Sequence, residues 1–299
     1  MPKNKNEVGQ ILKKYDAALW IYGIFTLIGC IVWAIRDWRY FCLFNGIGTC
    51  ELVARIIVAN RPATRQLMRR ISQGIVAAIL LVMLGFVFGV NFQFEQIFFD
   101  MQAGVVTGAL IQLIVARIVI PIPLGNAFCS RACWDGAIFE LINNKKCERP
   151  VKRKPWLAWS YLILLITMTI IVTHTMTNPA GDENELLRKK WIVGSNVFII
   201  VLGYILTRKL GSRGYCRMLC PFLTISSLFY RISILKITPR QSSECTRCGA
   251  CNKACPMLID VRESVARREK ISNRQCLLCE RCVSACKKNV LQVSHKPAQ

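Results

Sequence analysis

The sequence predicts an all-α polytopic membrane protein of about six transmembrane helices with a small C-terminal α+β domain. Three observations carry this: 53% of the residues are hydrophobic, they gather into long runs, and a polar tail dense in cysteine follows them. The 40 Lys and Arg against 17 Asp and Glu leave a formal charge of +23. A nucleic-acid binder of that charge is polar throughout, so no nucleic-acid partner is expected, and charge and hydrophobicity must occupy different segments. Only two histidines are present, one of them His295 in the tail, which excludes a haem held by paired imidazoles inside a membrane. A secreted disulfide scaffold is short and polar, so the 16 cysteines do not read as one.

A bilayer core of roughly 30 Å takes about 20 apolar helical residues to cross. Six stretches qualify: 17–35, 40–59, 71–90, 97–120, 156–176 and 191–207. No small-residue cleavage site follows the first, and the second begins almost at once, so a retained helix is expected rather than a signal peptide. Lys and Arg set the orientation, because cytoplasmic loops keep them. Lys3, Lys5, Lys13 and Lys14 precede the first stretch, and Arg61, Arg65, Arg69 and Arg70 separate the second from the third. Lys145, Lys146, Arg149, Lys152, Arg153 and Lys154 precede the fifth, and Lys209, Arg213 and Arg217 follow the sixth. The opposite side holds Glu95, Asp182, Glu183 and Glu185. The expectation is a multi-pass protein of the cytoplasmic (inner) membrane, in contact with lipid, with both termini cytoplasmic. The run 222–237, interrupted by Arg231, reads as an amphipathic helix in the interface. The expected division is 1–70 for an N-terminal hairpin, 71–237 for duplicated hairpins with the interfacial helix, and 238–299 for the soluble tail.

In that tail Cys245, Cys248, Cys251 and Cys255 are spaced C-x2-C-x2-C-x3-C and precede Pro256. Cys276, Cys279, Cys282 and Cys286 repeat the spacing, with Lys287 in the place of the proline. Such a run supplies three thiolates to one cubane cluster and sends the fourth to its neighbour. The tail is therefore expected to be a bacterial-ferredoxin-like domain with two [4Fe-4S] clusters. Cys245, Cys248, Cys251 and Cys286 would hold one, and Cys276, Cys279, Cys282 and Cys255 the other. Structural zinc sites take pairs of C-x2-4-C rather than eight cysteines in a duplicated run. Thiols of this kind belong in a reducing compartment, in agreement with the charge-derived topology. Between the runs, Arg262, Arg267, Arg268, Lys270 and Arg274 alternate with Glu263 and Glu269. They read either as a solvated face or as a docking surface for an acidic redox partner.

Two further pairs stand at equivalent places. Cys129 and Cys133 follow the fourth stretch in P-L-G-N-A-F-C-S-R-A-C-W; Cys216 and Cys220 follow the sixth in K-L-G-S-R-G-Y-C-R-M-L-C-P-F. A Leu-Gly, an aromatic residue before the first Cys and an apolar segment after the second recur in both, the pattern of an internal repeat. Pseudo-symmetry would bring the four thiols together at the cytoplasmic membrane edge. They could bind an additional iron–sulfur or metal centre, cycle between dithiol and disulfide, or simply pack. The duplicated spacing argues for a redox or metal role, and Arg131, Arg213 and Arg217 are expected to favour the thiolates.

These motifs resemble the NapH, NosR and MauN group of membrane ferredoxin-type proteins, over 71–299 and chiefly through C-R-M-L-C-P-F and the eight tail cysteines. The resemblance implies quinol-linked electron delivery to periplasmic reductases or maturation of redox enzymes, and hence electron transfer through the membrane. Trp134 stands where Pro221 follows the second pair, and the first two apolar stretches are additional to the pattern.

Other candidates carry less. Cys30, Cys42 and Cys50 in the first two stretches read as packing residues or as an intramembrane cluster, and Glu51 with Arg55 as an i,i+4 pair of structural or functional use. His174, with Glu95 or Asp100, is a candidate proton acceptor for a quinone. Cys147 has no partner by spacing, and no phosphate loop, nucleophile elbow or hydride-cofactor fingerprint is present. The expected function is that of an integral membrane iron–sulfur electron-transfer subunit, moving electrons between the cytoplasmic ferredoxin domain and a membrane quinone or partner redox subunit. The alternative is a maturation or regulatory factor whose C-x3-C thiols reduce, or deliver metal to, a client enzyme.

Overall fold

The structure is a computed structural model, and it describes residues 5–35, 37–87, 94–102, 104, 108–142, 151, 154–175, 185–240 and 245–294. Cys147, the cations Lys3, Lys145, Lys146, Arg149, Lys152 and Arg153, and the acids Asp182 and Glu183 lie outside these residues. The chain forms two compact units, Met1–Phe88 and Gly89–Gln299.

In the first unit, α1 (Lys5–Ile35) and α2 (Trp38–Asn60) make a tight hairpin. Asp37 caps α2 by accepting from the Arg39 amide and holds the Arg39 guanidinium at 2.8 Å. A 3-10 turn, Pro62–Thr64, leads into α3 (Arg65–Leu80), which continues as a π-helical turn, Leu81–Val87. Polar groups inside these apolar helices bond to one another, as a low-dielectric surrounding requires. The Tyr22 hydroxyl donates to Asn45 Oδ1, Arg69 donates to Gln66 and Gln73, and Glu51 meets Arg55 at 3.6 Å.

The second unit begins with α4 (Phe94–Gln102) and α5 (Gly108–Ile114), then a π-helical turn, Val115–Val119, and α6 (Pro121–Leu124). The expected span 97–120 is thus interrupted rather than continuous. Its charged residues explain the break: Asp100 and Arg117 are buried, Gln96 donates to Asp100 at 2.6 Å, and Gly104 turns the chain at φ 68°. Such backbone is tolerated at membrane depth where protein covers it, and α4 packs on α9 (Pro155–His174) and α5. Among the described residues five helices are long and apolar enough to cross a bilayer: Ala18–Ile35, Trp38–Asn60, Pro62–Met83, Pro155–His174 and Lys189–Leu210. Between 11% and 28% of the apolar window of each is buried, and large apolar side chains such as Trp20, Leu27, Ile163 and Phe198 are exposed on them.

Short helices α7 (Ala127–Arg131) and α8 (Trp134–Ile142) precede α9, and α11 (Gly214–Met218) and α12 (Pro221–Phe229) follow α10 (Glu185–Leu210). The run 222–237 is not one interfacial helix. α12 ends in a 3-10 turn at Tyr230–Ile232, and β1 (Lys236–Pro239) follows. Leu223, Thr224, Ser226 and Tyr230 point into the core while Leu228 and Ile232 face out, because the hydroxyls satisfy themselves on α12 backbone carbonyls such as Cys220 O and Thr224 O. β1 pairs antiparallel with β2 (Leu291–Ser294), Lys236 opposite Ser294. Between them lie α13 (Ala250–Ala254), α14 (Val261–Ala266) and α15 (Arg281–Ala285). One hydrophobic core runs from Cys129, Phe139 and Tyr215 through Tyr230 and Ile237 to Ile271, Leu277 and Leu291. The tail therefore shares its interior with the C-x3-C region, and the expected boundary at 238 crosses a continuous core.

Candidate metal centres at the membrane edge

The tail's two cysteine runs fold alike. Arg247 and Leu278, the second residue of each first x2 turn, are both left-handed, at φ 53° and 51°. Gly249 and Glu280 repeat this at 73° and 58°, and Leu258 and Asn289, three residues past each fourth Cys, at 56° and 51°. Left-handed turns point backbone N–H groups inward. Arg247 N reaches Cys245 Sγ and Val290 N reaches Cys286 Sγ, both at 3.4 Å. Cys251 lies close enough to Cys245 and Cys286 to feel their charge, and Cys255 to Cys276 and Cys279. A cavity is lined by Cys255, Cys276, Cys279 and Cys282 together with Ile237 and Val261. These surroundings fit two clusters of different exposure. Cys245 and Cys248 are exposed, whereas Cys276, Cys279 and Cys282 are buried. Burial pushes the Cys255 thiol up to about 12 and Cys276 to about 11, while the Ala250 backbone amide holds Cys248 below its usual value.

The two C-x3-C loops also match in their hydrogen bonding. Phe128 O accepts from Ala132 and Cys133 N; Tyr215 O accepts from Leu219 and Cys220 N. Each loop follows a left-handed glycine, Gly125 at φ 56° and Gly211 at 85°. The four thiols are electrostatic neighbours. Cys220 feels the charges of Cys216, Cys129 and Cys133, and burial drives it well above its ordinary value. Cys216 is pushed up to about 12 by burial, which outweighs the neighbouring Arg213. The expectation that basic neighbours favour the thiolates thus holds in sign only; desolvation is larger. Among the described residues no three His, Cys, Asp or Glu side chains converge as a single ion requires. That applies equally to the eight tail cysteines, whose motif spreads its sulfurs over the corners of a cube.

Arginines surround these thiols. Arg117, 2% exposed, lies between the rings of Phe128 and Phe222, 4.6 Å from each centroid. Its Nη1 donates to Cys129 Sγ at 3.2 Å, and Cys133 also accepts from it. Arg213, fully buried and left-handed at φ 65°, donates to Cys129 O and binds Glu140 at 2.8 Å. Its guanidinium lies where a Cβ on Gly136 would stand. Arg217, also fully buried, donates to Pro256 O and Leu210 O. Buried cations need anions nearby. Glu140 answers Arg213 and Asp135 lies beside Arg117; a four-thiolate iron–sulfur cluster, with a net negative charge of about two, would fit the same positive surroundings.

Comparison with known proteins agrees with this geometry. Residues 244–291 match the family described as a 4Fe-4S dicluster domain, and 106–154 and 193–239 each match a 4Fe-4S binding domain. The second family covers both C-x3-C loops, so the repeat is real at the level of sequence. The ferredoxin-type protein NapH of Escherichia coli is 19% identical over 196 residues, 63% of this chain and 68% of NapH. The methylamine utilization ferredoxin-type protein MauN of Paracoccus denitrificans is 25% identical over 144 residues, 44% of this chain and 48% of MauN. The chain is a NapH- and MauN-like ferredoxin-type protein. It is an iron–sulfur protein of electron transfer with helices fit to span a membrane. A Methanocaldococcus jannaschii relative, the uncharacterized protein MJ0750, is 26% identical over 204 residues, 63% of this chain and 80% of its own length. No solved structure matches.

In this ferredoxin-type chain the tail is clamped to the C-x3-C loops. Asn126 Nδ2 donates to Arg274 O and Cys276 O, Arg131 pairs with Glu280 at 2.8 Å, and the Tyr230 hydroxyl donates to Ile271 O. Glu140 bridges Arg213 to Arg281, which it meets at 3.2 Å. His174 is exposed at the end of α9 and pairs with neither Glu95 nor Asp100. Glu95 is buried beside Ser195, which lines a cavity of about 290 Å³ between α9 and α10 with Tyr161, Leu165, Met168, Trp191 and Phe198. Cys30 and Cys42 are exposed on separate helices, and Cys50 faces Ser72 O at 3.8 Å. Arg117, Glu140 and Tyr161 were not singled out from the sequence. A lone arginine inside an apolar run was the available signal for Arg117.

Proposed function

We propose that the protein is an integral membrane electron-transfer subunit in which Cys129, Cys133, Cys216 and Cys220 hold a third iron–sulfur cluster beside the two of the tail. Electrons move between the cytoplasmic ferredoxin domain and a membrane quinone or partner redox subunit. The observation that carries this is Arg117, a buried guanidinium that spends its hydrogen bonds on cysteine sulfur. Although the Asp135 carboxylate also feels its charge, Arg117 leaves a positive field at those sulfurs that suits an anionic centre. The clusters, when bound, supply one-electron chemistry without bond making. Cys245, Cys248, Cys251 and Cys286 are proposed as ligands of the outer tail cluster, and Cys255, Cys276, Cys279 and Cys282 of the inner one. The exposed outer thiols let a redox partner in solution exchange electrons with that cluster, and the buried inner set lies across Arg217 and Pro256 from the C-x3-C loops. The cavity between α9 and α10 supports a quinone as acceptor, with Tyr161 and Ser195 as its polar groups and Glu95 beside them to take a proton. Orientation in the inner membrane with both termini cytoplasmic rests on the Lys and Arg distribution. Thiols that reduce or load a client must be reached by it; burial of Cys129, Cys133 and Cys216 speaks for the carrier over a maturation factor.

Iron and acid-labile sulfide counting tests the reading. The intact protein should hold about twelve irons, and the variant with Cys129, Cys133, Cys216 and Cys220 all changed to Ser about eight. Equal counts in the two proteins exclude the third cluster. Stopped-flow oxidation by added quinone should be lost in the same variant.

A further inference from the structure

We infer that the tail face around Cys245 and Cys248 is the docking surface of an acidic one-electron carrier protein. The inference goes beyond the membrane-side reading and rests on it only for the ligand set of the outer cluster. Of the three cysteine sets, this one alone has exposed members; its sulfurs are the port through which a protein too large to enter the core can exchange an electron. The port is ringed by cations. Arg247 lies between Cys245 and Cys248, Lys253 follows in α13, Lys287 and Lys288 follow Cys286, and Arg240 N bonds Val290 O beside them. All five are exposed, and none is in an ion pair with an acid among the described residues.

The tail's acids are differently disposed. Asp260 is held by Asn252 Nδ2 at 2.7 Å and by the Glu263 amide, Glu263 pairs with Arg267, and Glu280 pairs with Arg131. Three of the tail's five acids, Asp260, Glu263 and Glu280, are therefore engaged within the protein, while the cations at the port are free to act outward. Over 238–299 the sequence holds twelve Lys and Arg against five Asp and Glu, so long-range attraction has the same sign as the local ring. The earlier candidate stretch, with Arg262 and Arg268, is exposed as well, but it belongs to the loop whose Val261 and Ile271 wall the buried cavity. The port's neighbours Thr246, Gly249, Ala250, Asn252 and Asn289 are small or polar, a surface for brief, wet contact rather than for insertion into lipid. In the exchange, one electron leaves the reduced centre of the carrier and enters the outer cluster; no bond forms or breaks and no proton moves.

The test uses the full-length, cluster-loaded protein in detergent and an oxidised plant-type ferredoxin of net negative charge, with affinity read by titration calorimetry so that no turnover is needed. Affinity should fall as salt rises from low to physiological strength. The double variant Lys287→Glu, Lys288→Glu should weaken binding about ten-fold, and Arg262→Glu with Arg268→Glu should leave it within about two-fold. If the charge reversals lose iron, the Gln variants and the salt series on the unaltered protein still decide. Salt-independent affinity, equal affinity for a basic carrier such as a cationic cytochrome, or loss confined to the Arg262 and Arg268 variant would overturn the inference. So would binding to anionic vesicles through Lys287 and Lys288 with none to the ferredoxin. Cluster reduction by a small viologen, followed by quinone oxidation, proceeds in each of those cases if the membrane-side reading holds, so the two can fail separately.

Discussion

Arg117 is the residue on which most of the site's chemistry converges. Its flanking rings hold the guanidinium plane, and its hydrogen bonds fall on Cys129 and Cys133. Hydrogen bonds to cluster sulfurs raise reduction potential, because they stabilise the more negative state. Arg117→Gln should lower the midpoint potential of the proposed third cluster, read by redox titration with electron paramagnetic resonance, and weaken iron retention about 10–100-fold. Gly125 is constrained twice, by φ 56° and by contact: a Cβ there would come within 2.9 Å of Leu278 and Tyr230. Gly125→Ala should cost about 1–3 kcal/mol, seen as a lower thermal midpoint with cluster content retained. At this scale the cysteines were legible because their spacing is local in sequence. Arg117 was hidden inside the apolar run 97–120, and its role became visible only when the chain brought Phe128, Phe222 and two sulfurs around it.

The repeat is the unit of design among the elements. α7 with α8 and α11 with α12 are built alike, down to the aromatic carbonyl that accepts from two successive amides. The sequence showed this duplication, and the two matches to one family bear it out. It did not show how the halves are tied, since that depends on Glu140, 73 residues from Arg213 in the chain. With side chains 3% and 0% exposed, Glu140 and Arg213 form a buried pair, and removing one partner of such a pair typically costs 3–5 kcal/mol. Glu140→Ala should therefore destabilise the second unit by about that amount and raise protease sensitivity near Arg281, with secondary structure unchanged by circular dichroism. The expected fourth span and the interfacial helix were misjudged for one reason: hydropathy counts apolar residues but not the inward demand of Asp100, Arg117, Thr224 and Ser226.

Across the whole molecule one of the three cysteine sets is exposed, at Cys245 and Cys248, while the inner tail set and the C-x3-C set are mostly buried alike. A membrane-impermeant oxidant such as ferricyanide should bleach the proposed outer cluster first. About four irons should leave in a fast phase and the rest far more slowly, with Cys245→Ser removing the fast phase. The general architecture, apolar helices followed by a cysteine-rich tail, could be read from composition. The shared core could not, because the tail's buried residues, Met257, Ile259, Val261, Ile271 and Leu291 among them, are scattered between the cysteine turns with no sustained apolar period.

The clamp of Asn126, Arg131 and Tyr230 on the tail also bears on biogenesis. The C-x3-C loops leave the ribosome before the tail 245–294 is complete, so these thiols spend the last part of synthesis without their cover. If these thiols hold the proposed cluster, the window for iron delivery to them closes as the tail docks, and a chain whose tail folds early would be sealed with that centre empty.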